Sequence, residues 1–418
     1  MGCGKINHAM GCVVPDNYHE FGPDAGAIGG PFTWEELNMN PGEKVGRKDI
    51  AGISISEESG IVKNIYPGKI ISRGTLNHTL PLNTIDNRID RPANGYNTFD
   101  WGPVTITDNE MPDGKITSQT KRNFDFGPIA GKESDIPDYK STSYGVEFLQ
   151  KSHAKPFFLA IGQFKPHLPW FVPQKYPDLY PLDQIELPST KNDDLADLPK
   201  IALKRTNDRA SKHHLVKELN EWKKAVQGYR ACISFSDAQI GRLLDALDAS
   251  PHHDNTIIVL WSDHGYHLGE KDNWHKGTLW ERSVHVPYLI VAPGVTKPGT
   301  KTDAPVDLMS IYPTLVELAG LPANPQIKDQ GHSLVPLLKN PQTPWSHYAL
   351  CTHERGNHSL RSRTHRYIRY QDGSEELYDH RTDTNEWNNI AADHQDLCRQ
   401  FSQTLPKNEA PIGPSYYA

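Results

Sequence analysis

The segment Trp261-Ser262-Asp263-His264-Gly265-Tyr266-His267-Leu268-Gly269-Glu270-Lys271-Asp272-Asn273-Trp274-His275-Lys276 decides how the chain is read. It grows out of the apolar run Thr256-Ile257-Ile258-Val259-Leu260-Trp261. That run is short, β-branched and bounded by polar turns, so it reads as a buried strand. Asp263 and His264 then stand just past its carboxyl end, where open α/β sheets bind their ligands. A carboxylate oxygen beside an imidazole nitrogen offers two donors to a divalent cation. An Asp-capped turn followed by a hydrogen-bonded structural histidine fits the same dipeptide, so the pair alone leaves both readings open.

On either side of this segment helices and strands alternate. Residues 141–150 read as a helix leading to a strand at Phe157-Phe158-Leu159-Ala160-Ile161. Residues 163–200 are Pro-rich and read as loop. Apolar residues recur at helical spacing from about 211 to 249 (Leu215, Leu219, Trp222, Val226, Tyr229, Ile233, Ile240, Leu243, Leu247), a long helix with an expected break near Gly228. A second core strand is expected at 287–292 and a helix at about 307–320. This alternation predicts an α/β fold, a mostly parallel sheet flanked by helices. Beyond about residue 345 the rhythm changes. Short segments at 348–352, 359–364, 367–371 and 376–378, closed by a helix at about 386–404, predict a small antiparallel sheet. The expected division is therefore 1–344 and 345–418.

Residues 1–145 are rich in Gly, Pro, Asn and Asp and read as mostly irregular. They hold one echo: Phe99-Asp100-Trp101-Gly102-Pro103 recurs as Phe124-Asp125-Phe126-Gly127-Pro128. Two copies are too few for a solenoid. They suit a duplicated surface loop or the rim of a cleft.

The chain has 418 residues, 36% of them hydrophobic, with 32 Gly and 33 Pro, enough for a large core threaded by many loops. A net charge of −7 argues against a nucleic-acid binder, yet leaves room for a local cationic pocket. No stretch approaches the roughly 20 apolar residues needed to span a bilayer. The five cysteines, Cys3, Cys12, Cys232, Cys351 and Cys398, form neither a metal framework nor a dense disulfide pattern.

Several further segments appear in a recognisable order. They are Gly4-Lys5-Ile6-Asn7-His8, then Lys165-Pro166-His167-Leu168-Pro169, then residues 229–247, YRACISFSDAQIGRLLDAL. Gly331-His332-Ser333-Leu334-Val335-Pro336-Leu337-Leu338 and Glu376-Leu377-Tyr378-Asp379 follow near the end. With S-D-H-G-Y-x-L-G-E-x-x-x-W-x-K at 262–276, the chain resembles the sulfatase family, most nearly its iduronate-2-sulfatase branch. The resemblance implies an alkaline-phosphatase-like fold and hydrolysis of sulfate esters of a sulfated sugar or polysaccharide. It implies that Asp263 and His264 bind Ca2+ (or Mg2+) and that Lys276 contacts the sulfate. Lys5 and His8 would flank a catalytic aldehyde hydrate, with His8 as the base that releases sulfate. His167 would touch the sulfate or the ester oxygen, and His285, just before Pro287, would line the pocket. Location by resemblance is periplasmic or extracellular; the sequence does not specify an oligomeric state.

The sequence also departs from the family. Sulfatases oxidise the Cys or Ser of C/S-x-P-x-R to formylglycine, and none of the five cysteines here has a Pro two residues on. The paired acidic metal ligands that precede G-K-x-x-H in the family are also missing. The expectation is a sulfatase lacking its N-terminal part, and no turnover by these 418 residues alone. A phosphonate or phosphodiester hydrolase of the same superfamily, and a non-catalytic sulfatase-like binding protein, are the rival readings.

Overall fold

The computed structural model describes residues 2–4, 126–129, 132–168, 170–218, 220–325 and 331–407. Lys5, His8 and the first copy of the aromatic echo lie outside the described residues. The first half of the chain contributes strand β1 (Gly2–Gly4), strand β2 (Phe126–Ile129), helix α1 (Pro137–Leu149), strands β3 (Ala160–Gly162) and β4 (Trp170–Pro173), and helices α2 (Lys200–Glu218) and α3 (Trp222–Asp248). Strand β5 (Ile258–Trp261), the two-residue strands β6 (His267–Leu268) and β7 (Trp274–His275), helix α4 (Glu281–Val284) and strand β8 (Tyr288–Val291) follow. Helices α5 (Ile311–Leu318) and α6 (Val335–Lys339), strands β9 (Ala349–Thr352), β10 (His358–Arg361), β11 (His365–Arg369) and β12 (Glu375–Asp379), and helix α7 (Gln395–Ser402) complete the order.

The chain divides into two compact units, residues 1–187 with 215–253, and residues 188–214 with 254–418. In the first, β1 pairs parallel with β3, and β2 parallel with β4, Phe126 opposite Trp170. All four residues of β4 are buried. They form a core with Phe126 and the buried stripe of α3: Ala225, Val226, Ala231, Cys232 and Phe235. This stripe is the helical periodicity read from the sequence, but the break falls elsewhere. The backbone leaves the helix between α2 and α3, where Asn220 has φ 54°, and not at Gly228. Gly228 is buried inside α3, and a Cβ there would stand 3.0 Å from Cβ of Phe126 and 3.3 Å from that of Trp170. The glycine serves close approach of helix and strands, not a kink.

In the second unit β5 and β8 pair antiparallel, Leu260 opposite Leu289. Tyr288 and Ile290 pack on a core of Ala304, Leu334 and Leu337. The four C-terminal strands form an antiparallel meander in the order β12-β11-β10-β9. Leu360, Tyr367 and Leu377 of its buried centre meet Cys398 and Phe401 of α7. The α/β fold with its small C-terminal antiparallel sheet is as the alternation predicted. The closing helix is shorter than expected and begins at Gln395. Upstream of it side chains hold the backbone instead: Asp383 accepts the amides of Trp387 (3.0 Å) and Asn388 (2.8 Å), and the Leu377 amide donates to Asn389 (3.0 Å). Such local bonds compete with helix. Strands β2 and β4 lie where the sequence read as loop. Each has only four residues and each carries Pro, a weak strand signal.

Candidate functional site

Asp263 and His264 follow β5 directly, at its carboxyl end. The Ser262 hydroxyl donates to the His264 carbonyl at 3.0 Å and folds the turn. Gly265 is fixed by packing. Its amide donates to the Ser283 carbonyl at 2.8 Å. A Cβ there would stand 2.2 Å from the Arg282 carbonyl oxygen and 2.9 Å from that of His285. The turn therefore lies directly against the backbone of α4, closer than any side chain would allow.

The His264 ring is oriented by its own backbone. Nδ1 lies 2.7 Å from the Gly265 carbonyl oxygen, which can only accept, so Nδ1 carries the proton. Nε2 is then the lone-pair nitrogen of the neutral ring, and it lies 3.6 Å from Oδ2 of Asp263. Both atoms can reach one cation at the roughly 2.4 Å typical of calcium–oxygen distances. A carbonyl that fixes the ring of a metal-binding histidine is the usual supporting contact. Asp263 is 56% exposed, so its carboxylate also reaches solvent.

Lys276 leaves a short hairpin. Strands β6 and β7 pair antiparallel, His267 opposite His275 and Leu268 opposite Trp274. One more step of that register sets Tyr266 across from Lys276, and the Tyr266 hydroxyl meets Nδ1 of His275 at 2.8 Å. The residue after the Asp-His-Gly turn is thus tied to the residue before Lys276. The backbone is strained before the lysine, where His275 has φ 75°, while Gly277 after it takes φ 83° without cost. A non-glycine residue in this region costs of order 1 kcal/mol and persists only where its surroundings impose it. They do so here. Trp274 is fully buried, its indole N–H 3.1 Å from Nδ1 of His213, and Lys271 is buried in an ion pair with Asp194 at 2.7 Å.

The loop beyond Lys276 is anchored on the meander. Trp280 donates its indole N–H to Glu376 at 2.7 Å. The hydroxyls of Tyr370 (2.7 Å) and Tyr378 (2.6 Å) donate to the same carboxylate. Glu376 is fully buried, and burial raises its pKa above the ordinary carboxylate range.

Glu281, His380 and Glu386 bring three ligand atoms within 4.8 Å of one another, a second place to look for a metal. Hydrogen bonding argues against one. Arg361 has no acceptor, so Nδ1 of His380 must accept from it at 2.8 Å. The Nε2–H of His380 then donates to Glu386 at 2.9 Å. No lone pair of that ring remains for a metal. Arg366 pairs with Glu386 at 2.6 Å and also with Glu281, and Arg361 lies 3.3 Å from Glu281. Two guanidinium groups already neutralise the two carboxylates. Despite burial, His285 and the arginines hold Glu281 far below the usual carboxylate pKa.

His167 belongs to the first unit. Its turn contains a cis Lys165–Pro166 peptide and closes with the His167 amide on the Phe164 carbonyl at 2.9 Å. Buried Asp138, at the start of α1, accepts the amides of Phe164 (2.7 Å) and Lys165 (2.8 Å). Ser236 of α3 donates to the Lys165 carbonyl at 3.0 Å, and Trp170 to the Pro166 carbonyl at 2.8 Å. Nδ1 of His167 donates to the Leu168 carbonyl at 2.6 Å, so its Nε2 is the acceptor nitrogen too. Burial depresses the pKa of Lys165 and pushes the nearby Cys232 thiol up to about 12.

Asp263, His264 and Lys276 thus share one unit and one tethered segment, while His167 is fixed separately in the other. Sequence reading missed Asp138, Glu281 and Glu376. Asp138 and Glu281 stand in the first turns of helices, where an acidic residue needs no other reason. Glu376 follows Glu375 in a strand with no apolar-polar alternation, and nothing in the sequence marks it as buried.

Comparison with known proteins adds the following. The family profile described as Sulfatase matches residues 78–321. That of the N-sulphoglucosamine sulphohydrolase C-terminal region matches 269–410. A sulfatase of Formosa agariphila is 43% identical over 320 residues, 76% of this chain and 57% of the relative. Human iduronate 2-sulfatase is 34% identical over 212 residues, 42% of this chain and 38% of the relative. The chain therefore spans little more than half the length of the first and less of the second. Among solved structures, the phosphonate monoester hydrolase of Silicibacter pomeroyi superposes with a TM-score of 0.56 at 22% identity, covering 70% of this chain and 63% of that one. A protein solved with its substrate D-glucosamine-2-N,6-O-disulfate superposes with a TM-score of 0.51 at 21% identity, covering 64% and 68%. At such identities the two structures carry the fold alone.

Proposed function

The chain belongs to the sulfatase family, and we propose that the turn after β5 and the hairpin behind it are the metal- and sulfate-binding part of a site that hydrolyses sulfate esters of a sulfated sugar or polysaccharide. Sulfatases generally use a divalent metal ion. Asp263 and His264 would hold it here, and among the described residues these two are the donors that fit. Ca2+, or Mg2+, is the ion the resemblance implies, and both are hard cations that take a carboxylate. Bound there, the ion would neutralise charge on the sulfuryl group.

The chain's own residues do the rest. Lys276 supplies a fixed cation to the sulfate, and the tethered hairpin orients it before substrate arrives. By resemblance alone His167 would touch the sulfate or ester oxygen; with Nδ1 donating to its backbone, its Nε2 could donate there only with the ring protonated. Lys5 and His8 serve the aldehyde hydrate by resemblance alone. An exported enzyme, periplasmic or extracellular, fits the family. Among the described residues no helix is long and apolar enough to cross a membrane.

The observation that carries this reading is the tether between the Asp263–His264 turn and Lys276, the Tyr266 hydroxyl on Nδ1 of His275. Calorimetry of the 418-residue chain with a 2-O-sulfated uronic acid disaccharide, in Ca2+, tests it. Lys276→Ala should weaken binding about tenfold or more, the scale of a charge-assisted contact. Asp263→Asn should remove the calcium dependence. Turnover is not expected from this chain, because none of its cysteines has the formylglycine context. Undiminished binding by Lys276→Ala, or tighter binding of a phosphonate monoester, would overturn the reading.

A further inference from the structure

Residues 188–214 leave the first unit and join the second. Two buried side chains of this excursion reach the hairpin that carries Lys276. Asp194 accepts from Nζ of Lys271 at 2.7 Å. His213, in α2, is buried and lies between Trp274 and Asp272. An indole N–H can only donate, so Nδ1 of His213 accepts it at 3.1 Å. Nε2 then carries the hydrogen of the neutral ring, 3.5 Å from Oδ1 of Asp272. The ring is held in one tautomer, with one nitrogen toward each neighbour.

These contacts hold a backbone that would not keep its shape unaided. Lys271, Asp272 and His275 have φ of 53°, 49° and 75°, so three nearby non-glycine residues stand in the left-handed region. Such residues persist only where their surroundings over-determine them. Each of the three has a side-chain partner: Lys271 has Asp194, Asp272 has His213 and His275 has Tyr266. His213 bears on two points at once, the strained Asp272 and the fully buried Trp274. Lys276 comes two residues after Trp274, with only the strained His275 between them, so the indole sets where the lysine begins.

We propose that His213 is a positioning residue for Lys276: by accepting from Trp274 it holds the hairpin in the strained shape that presents the ammonium group to the sulfate. This rests on reading Lys276 as the sulfate-binding cation. His213 is itself buried and acts through the hairpin. A cation on a rigid arm loses little conformational freedom on binding, whereas a lysine on a relaxed hairpin must be ordered by the ligand. The Asp263–His264 turn is held differently, by the Gly265 amide on the Ser283 carbonyl, so its donors do not depend on His213.

The test is calorimetry of the 418-residue chain in Ca2+ with a 2-O-sulfated uronic acid disaccharide. His213→Phe keeps a buried ring and removes the acceptor. It should weaken binding about fivefold, the scale of one hydrogen bond, and leave the calcium dependence of binding unchanged. His213→Asn, whose amide oxygen can stand where Nδ1 does, should restore most of the loss. In a Lys276→Ala background His213→Phe should cost nothing further, because its effect runs through the lysine. Should His213→Phe not fold, His213→Gln, which keeps a hydrogen toward Asp272 and withdraws the acceptor, is read in its place. Unchanged affinity, no rescue by His213→Asn, or the same loss in the Lys276→Ala background overturns the proposal. Lys276→Ala alone separates the two inferences. If it binds as tightly as wild type, the sulfate site itself is wrong and this proposal falls with it. If it binds more weakly while His213→Phe does not, this proposal alone falls.

Discussion

At the scale of single residues, the site depends on atoms that have one possible role. Carbonyl oxygens next to His264 and His167 fix which ring nitrogen is protonated, without help from another element. Glu281 is tuned by several neighbours at once. Its folded pKa lies far below the unfolded value of about 4.5. A depressed carboxylate contributes stability that is fully present above the unfolded pKa and is lost as pH falls below it. Glu281→Gln should therefore lower the melting temperature at pH 7. The gap to wild type should narrow steadily below about pH 4.5, and a gap that stays constant into acid would contradict this role. Asp263, His264 and Lys276 became candidates because residues 262–276 resemble a family segment; the Asp-His pair alone left both readings open. Glu281 was not legible. Its importance lies in Arg361 and Arg366, about eighty positions away, and no local pattern encodes that pairing.

At the scale of elements, long periodic segments were readable and short ones were not. Helix α3 announced itself by its apolar stripe, and β5 and β8 by apolar runs between turns. Strands β2 and β4 did not, because four residues with a proline carry too little pattern. The supposed break at Gly228 failed for a related reason. A glycine in a helical window signals a breaker or a tight contact with equal force, and only the packed Phe126 and Trp170 decide between them. The same reasoning gives a prediction for Gly265. Gly265→Ala would drive a methyl into the Arg282 carbonyl, so the turn and α4 must separate. Calcium binding should be lost while the C-terminal meander, which does not touch Gly265, stays folded. Far-ultraviolet circular dichroism close to wild type, together with flat calcium calorimetry, is the expected pair of results.

At the scale of the whole molecule, the two units each bury a carboxylate that collects donors. Asp138 holds two backbone amides in one unit, and Glu376 holds two tyrosines and a tryptophan in the other. Removing either acceptor leaves buried donors unpaired, at about 1–3 kcal/mol for each unpaired group. The donors named for Asp138 and Glu376 differ, so the costs of Asp138→Ala and Glu376→Ala should add within about 0.5 kcal/mol in a double-mutant cycle followed by denaturant unfolding. A larger interaction term would mean that the two anchors are coupled. The α/β class and the antiparallel close were legible at this scale because alternation and segment length survive errors at individual boundaries. The division into units was not legible: residues 188–214 join the later part of the chain and 215–253 the earlier part, an exchange that no linear reading of composition marks.

The fixed tautomer of His380 has a consequence for charge movement. An imidazole passes protons along a wire by taking one at one nitrogen while releasing one from the other. Here the receiving nitrogen faces Arg361, which does not give up its proton in a protein. His380 is therefore an insulator. Glu386, which accepts from its Nε2–H, exchanges no proton with Arg361 through that ring.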